Sequence, residues 1–144
     1  MRKSGSGFWV REEDLSQLSY DIFAFAAEGV PADDVSLLEW FKKQAEWSEP
    51  HSYDDAAVTT PALSSFYREL IGIYPPLNGS DAPEWDDDIE CADYAIGYSI
   101  IYVAFGWPVA AQARNVVLRL GAEHKVGVCE ISEVPSVIHR PPTD

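Results

Sequence analysis

Between Arg68 and Arg114 the chain carries no Lys or Arg, yet it holds eight acids: Glu69, Asp81, Glu84, Asp86, Asp87, Asp88, Glu90 and Asp93. Seven of the eight lie between positions 81 and 93, with Trp85 among them. Carboxylates gathered in this way can simply face water, chelate a hard cation such as Ca²⁺, or dock a basic surface. Chelation lacks its spacing, because Asp86, Asp87 and Asp88 are contiguous and no glycine follows them as a calcium loop requires. Trp85 favours docking: tryptophan is enriched at interface hot spots, and its acidic neighbours would speed the encounter with a basic partner. A tryptophan that only pins the loop to the core is the plainer alternative. The docking reading places partner contacts on Glu84, Trp85, Asp86, Asp87, Asp88 and Glu90.

Other chemistry is less well supported. Cys91 or Cys129 combined with His51, His124 or His139 would supply a thiol nucleophile and a base. Both cysteines stand in apolar, strand-like contexts (IECADY and VGVCEIS), where a thiol is ordinarily inert filler. The histidines are scattered, with no Cys/His ligand spacing, so neither a metal nor a cofactor is expected. No nucleophile elbow, zinc-protease, phosphate-loop or dinucleotide-binding glycine pattern occurs. Arg68, Arg114 and Arg119 read as solvated helix positions or partners for nearby acids. Tyr20, Tyr94, Tyr98, Tyr102 and Trp107 offer an aromatic-lined pocket with an arginine for an anionic group, set against plain core packing.

These residues need a scaffold, and the composition supplies one. The chain has 144 residues, 47% hydrophobic and 12% aromatic, enough for one domain with a full core and too aromatic for intrinsic disorder. A net charge of −14 opposes binding to nucleic acid and to anionic membranes, and suits a basic protein partner. Neither a secretory signal nor a membrane-spanning run is expected. Two cysteines without CxxC spacing read as free thiols in a reducing cytoplasm.

Tyr20 to Ala26 is an apolar run broken only by Asp21 and reads as a central strand. A helix begins at Asp33–Asp34 and ends before Pro50. Thr60–Pro61 starts a second helix, amphipathic through Tyr74 and closed by Pro75–Pro76. A long loop runs from Leu77 to Cys91. Asp93 to Phe105 is β-rich, with Gly97 as a turn or a bulge. Trp107–Pro108 opens a third helix, and Val126 to Ser132 is the last strand. The order β-α-α-β-β-α-β predicts an α+β fold: a mixed or antiparallel sheet with helices packed on one face, a ferredoxin-like variant. Residues 1–18 are expected to be a flexible lead-in, 19–134 a single domain and 135–144 a C-terminal tail.

The phrases YDIFAFA, TPALSSFYRELIGIYPPLNG and DYAIGYSIIYVAFGWPVAAQARNVVLRLGAEHKVGVCEIS resemble small bacterial proteins. Proteins similar to these occur among the immunity proteins of polymorphic or contact-dependent toxin systems. The resemblance covers residues 20–132 and rests on layout and on structural phrases such as Tyr74-Pro75-Pro76 and Ile101-Tyr102-Val103-Ala104-Phe105. It implies a non-enzymatic inhibitor of a cognate bacterial toxin and transfers no individual functional residue.

Overall fold

The apolar run from Tyr20 lies at the centre of the molecule because both of its faces must be covered. A computed structural model describes residues 19–77, 82 and 91–141, together with two short strands, β1 (Arg2–Lys3) and β2 (Trp9–Val10), which pair antiparallel. The main sheet contains β3 (Tyr20–Phe25), β4 (Asp93–Ile96), β5 (Ile100–Phe105), β6 (Gly127–Glu130) and β7 (Val137–His139), in the spatial order β4-β5-β3-β6-β7. Every neighbouring pair is antiparallel, so this is an open five-stranded antiparallel sheet. All six residues of β3 are buried.

Side chains alternate across a strand, so β3 feeds two cores. Ile22 and Ala24 face α2 (Pro61–Leu70) and α3 (Ala110–His124), packing with Phe66, Leu70, Val117 and Leu120. Phe23 and Phe25 face the other way, toward Leu37 and Phe41 of α1 (Asp34–Gln44). The Phe23 and Phe41 rings stack 4.3 Å apart and nearly parallel. The expectation that the helices share one face is therefore corrected: α1 lies on the face opposite α2 and α3. A central strand with both faces apolar puts Ile22 and Ala24 on one side and Phe23 and Phe25 on the other, and a single helical layer would leave one set in water.

The helix signals act through their caps. The Asp33 carboxylate accepts from the Ser36 N–H at 2.8 Å, and the Thr60 hydroxyl accepts from the Leu63 N–H at 3.2 Å. Helix α2 ends at Leu70 rather than at the prolines, and the chain turns through Ile71–Ile73 before burying Tyr74. Gly97 begins a tight hairpin, its N–H donating to the Ile100 carbonyl at 2.8 Å. A one-turn 3₁₀ helix at Trp107–Val109 leads into α3.

The segment read as a tail contributes β7, which pairs with β6 through Val128↔His139 and Glu130↔Val137. Arg140 then ties it to α1, with Nη2 at 2.9 Å from Asp34 and Nη1 donating to the Pro31 carbonyl at 3.0 Å. Three residues between Pro135 and Pro141 are too few for a periodic signal, so the main sheet carries one strand more than the sequence predicts.

Gly127 is where β6 meets the ring of Phe25 on β3. A methyl group there would fall 2.1 Å from the ring, far inside contact distance. Gly127→Ala is expected to lower the unfolding free energy by about 2–3 kcal/mol. Urea denaturation would measure it, and a loss below about 0.5 kcal/mol would mean that the ring is not locked in place.

Candidate functional site

The acidic partner residues expected from sequence, Glu84, Trp85, Asp86, Asp87, Asp88 and Glu90, lie outside the described residues. What the structure does describe is how that segment is anchored. The Leu77 N–H donates to the Ala92 carbonyl at 3.0 Å, and the Ala92 N–H donates to the Pro75 carbonyl at 2.9 Å. Both ends of the acidic segment are thus fastened side by side at the β4 edge of the sheet. The Tyr94 hydroxyl reinforces the join by donating to the Tyr74 carbonyl at 2.7 Å.

Next to this anchor is a cleft of about 380 Å³ between α1 and the β4–β5 hairpin. Its walls are Phe41, Trp47 and Tyr102, with Asp93 at the rim and the small side chains of Ala45 and Ala95 leaving the space. Ala95 pairs directly with Tyr102, and Asp93 with Ala104. Phe41 and Tyr102 lie with ring centroids 6.0 Å apart and planes 12° from parallel, while Trp47 meets Tyr102 edge-on at 5.9 Å. Trp47 adopts a left-handed backbone, φ 51°, just beyond the end of α1, where glycine is the usual occupant. The chain tolerates that conformation in a residue whose ring closes one wall of the cleft and also packs on Tyr53 at 5.2 Å.

The cleft is also acidic. The Tyr102 hydroxyl donates to Asp21, whose other carboxylate oxygen accepts from the Ser19 hydroxyl at 2.6 Å. Asp21 pairs with the same Ala104 as Asp93, so two carboxylates flank that alanine on one face. Burial, the bond to Asp21 and the charges of Asp21 and Asp93 together raise the Tyr102 phenol above its ordinary range. The phenol therefore stays protonated and keeps its bond to Asp21. Asp93 is exposed, and its carboxylate makes no ion pair among the described residues.

A second polar cluster lies on the opposite face. Glu130 is 1% exposed, and its carboxylate collects the Tyr20 hydroxyl at 3.0 Å, His139 Nε2 at 2.7 Å and the Arg114 guanidinium. Burial raises the pKa of this carboxyl, but the bonds from His139, Arg114 and Tyr20 outweigh it and hold the group below the usual glutamate value. Burial and the nearby Glu130 and Glu133 push the Tyr20 phenol up. Among the described residues no buried side-chain polar atom lacks a hydrogen-bond partner, so this cluster is satisfied internally.

The aromatic set suggested by the sequence is dispersed. Tyr102 lines the cleft, and Tyr94 lies at its edge with its ring turned to pack against Tyr67 at 5.3 Å. Tyr20 and Trp107 meet edge-on at 5.5 Å beside Glu130, and Tyr98 packs on His51 at the hairpin. His51 bridges the Ser52 carbonyl at 2.7 Å and Glu49 at 2.6 Å, and these bonds raise its pKa. Each of the three histidines contacts a glutamate: His51 with Glu49, His124 with Glu69, and His139 with Glu130. Both cysteines are free thiols, and burial pushes Cys129 up to about 12. Glu69, Glu123 and His124 bring ligand atoms within 4.8 Å of one another on exposed helix ends, where the bond between His124 and Glu69 at 3.2 Å accounts for part of the grouping.

Sequence reasoning missed the cleft because Trp47 gains its role from one backbone angle that no local pattern announces. Comparison with protein-family models, curated proteins and solved structures finds no match to this chain.

Glu130→Gln is expected to cost about 2–3 kcal/mol at neutral pH, because it leaves Arg114 and His139 without their buried anion. A depressed carboxyl pKa contributes stability above the unfolded value and loses it as pH falls through the folded one. Wild-type stability should therefore decline below the ordinary value of 4.5, and the variant should decline less steeply, as urea titrations across the acid range would read. The same thiol chemistry predicts that Cys129 resists an aromatic disulfide reagent in the native protein and reacts on unfolding. Rapid native labelling at Cys129 would show that the strand opens.

Proposed function

We propose that this chain is an acidic, non-enzymatic binding protein of the immunity type, which neutralises a cognate bacterial toxin by direct contact in the cytoplasm. The observation that carries the reading is the placement of charge. A segment with acids and no bases is fastened by both ends to the sheet edge, next to a cleft with the exposed carboxylate of Asp93 at its margin. An opposing basic surface would be steered there by long-range attraction and held by short-range pairing. Glu84, Trp85, Asp86, Asp87, Asp88 and Glu90 supply the segment's share of the contact, with Trp85 as the anchor. No helix of the described residues is long and apolar enough to cross a membrane.

The fold reading that accompanies this proposal is a ferredoxin-like variant. Supporting it, β3 and β5 are adjacent and antiparallel, β4 flanks β5, and β6 flanks β3. Helix α1 and strand β7 are the additions to that plan.

A second reading, a small-ligand binder or enzyme with an aromatic pocket, is favoured by the cleft itself, whose volume suits a small molecule. The two readings separate in one experiment. Where a gene adjoining that of this chain encodes a toxin domain, the two are co-expressed, and growth and complex formation are measured. The triple variant Asp86→Asn, Asp87→Asn, Asp88→Asn is expected to associate at least about tenfold more slowly at low salt, with the difference shrinking as salt rises. Equal association and equal protection by the triple variant would remove the acidic segment from the interface.

A further inference from the structure

One face of the sheet already contains a guanidinium site made by the chain itself. Arg140 lies over the Phe25 ring at 5.8 Å from its centroid, with a 2.9 Å contact to Asp34 of α1. The ingredients are an aromatic ring on the sheet, a carboxylate beside it and a planar cation between them. The cleft at the β4 end of the same face repeats those ingredients. Phe41, Trp47 and Tyr102 provide the rings, and Asp93 provides an exposed carboxylate. Among the described residues no base lines it: Lys42 and Lys43 of α1 stand outside the lining, and no Lys or Arg occurs between residues 68 and 114.

From this pairing we infer that the cleft is a receptor for a guanidinium group, presented as an arginine side chain by the basic partner proposed above. The inference rests on that proposal for the identity of the partner, but the site's chemistry stands on its own geometry. Guanidinium suits it better than ammonium because a planar cation can stack on a ring and bond a carboxylate in its own plane at once. An aromatic wall without charge would accept any apolar side chain. Asp93, with Asp21 held behind Tyr102, makes the cleft selective for a cation. The edge of β4 offers little competing backbone recognition. The Ala92 N–H is taken by the Pro75 carbonyl and the Ile96 N–H by the Tyr53 carbonyl at 2.9 Å, so adding a partner strand there is largely blocked.

The test uses the whole chain and a small probe, N-acetyl-L-argininamide, with N-acetyl-L-norleucinamide as the uncharged control. The indole N–H resonance of Trp47 is followed by NMR through the titration. A saturable shift with the arginine probe and none with the norleucine probe is expected, with a dissociation constant on the order of millimolar. Asp93→Asn should weaken it about fivefold to tenfold. Ala95→Leu, which fills the cleft, should abolish it while the remaining amide resonances keep their dispersion. An unsaturable response, an equal response to norleucinamide, or unchanged affinity in Asp93→Asn would each overturn the guanidinium site. If Asp93→Asn loses the probe yet binds the toxin as tightly as wild type, the assignment of the cleft to the partner's arginine falls. If the chain shows no salt-sensitive toxin binding at all, the partner proposal falls, and with it that assignment. The probe titration still judges the cleft's chemistry separately.

Discussion

The rest of the molecule is arranged around a strand with no hydrophilic side. From Tyr20 to Phe25 every residue of β3 is buried, and the phenylalanines at 23 and 25 point away from the layer formed by α2 and α3. Hydrophobic burial contributes roughly 25 cal/mol per Å² of apolar surface, so two exposed phenylalanines would be a serious loss. Helix α1 and the β6–β7 extension close that side, and Gly127 is the concession that lets Phe25 fit. The aromatic cleft is a by-product of the same closure. It forms where α1 ends and its last turn hands over to Trp47 before the sheet edge is reached.

Charge is handled in two ways. Among the described residues most of the carboxylates lie at the surface, where self-repulsion is screened by water and salt. Asp21 and Glu130 are buried, and Glu130, at 1% exposure, is paired with donors from β3, α3 and β7. That group joins three elements that share no local sequence, and it ties the late strand β7 to the body of the sheet. Burying a charge costs free energy unless it is fully paired, and here each contact also fixes the position of an element.

Much of this was legible in the residues. The central position of β3 follows from an uninterrupted apolar run, the start of α2 from Thr60–Pro61, and the hairpin from Gly97, because each rests on local chemistry. Which face α1 covers was not legible. Leu37 is buried while Val35 is 70% exposed, so the apolar residues of that helix do not announce a direction. The Glu130 cluster was hidden for another reason: Tyr20 and Glu130 are 110 positions apart, and only the register of the sheet brings them together. Gly121 and Gly127 look like isolated glycines in the sequence. They are needed because Val128 and Phe25 would otherwise lie 2.6 Å and 2.1 Å from a methyl group.

The join between Leu77, Pro75 and Ala92 bears on how such a protein can change over generations. The bonds that clamp the two ends run from backbone to backbone, so the clamp itself does not depend on which side chains occupy the span between them. Loop-closure entropy grows only logarithmically, about 0.6 kcal/mol for each doubling of length. Lengthening or shortening that span therefore changes the closure cost only slightly, while the clamp at its base stays the same. A lineage confronted with a succession of different partners could exchange this one cassette and keep everything else.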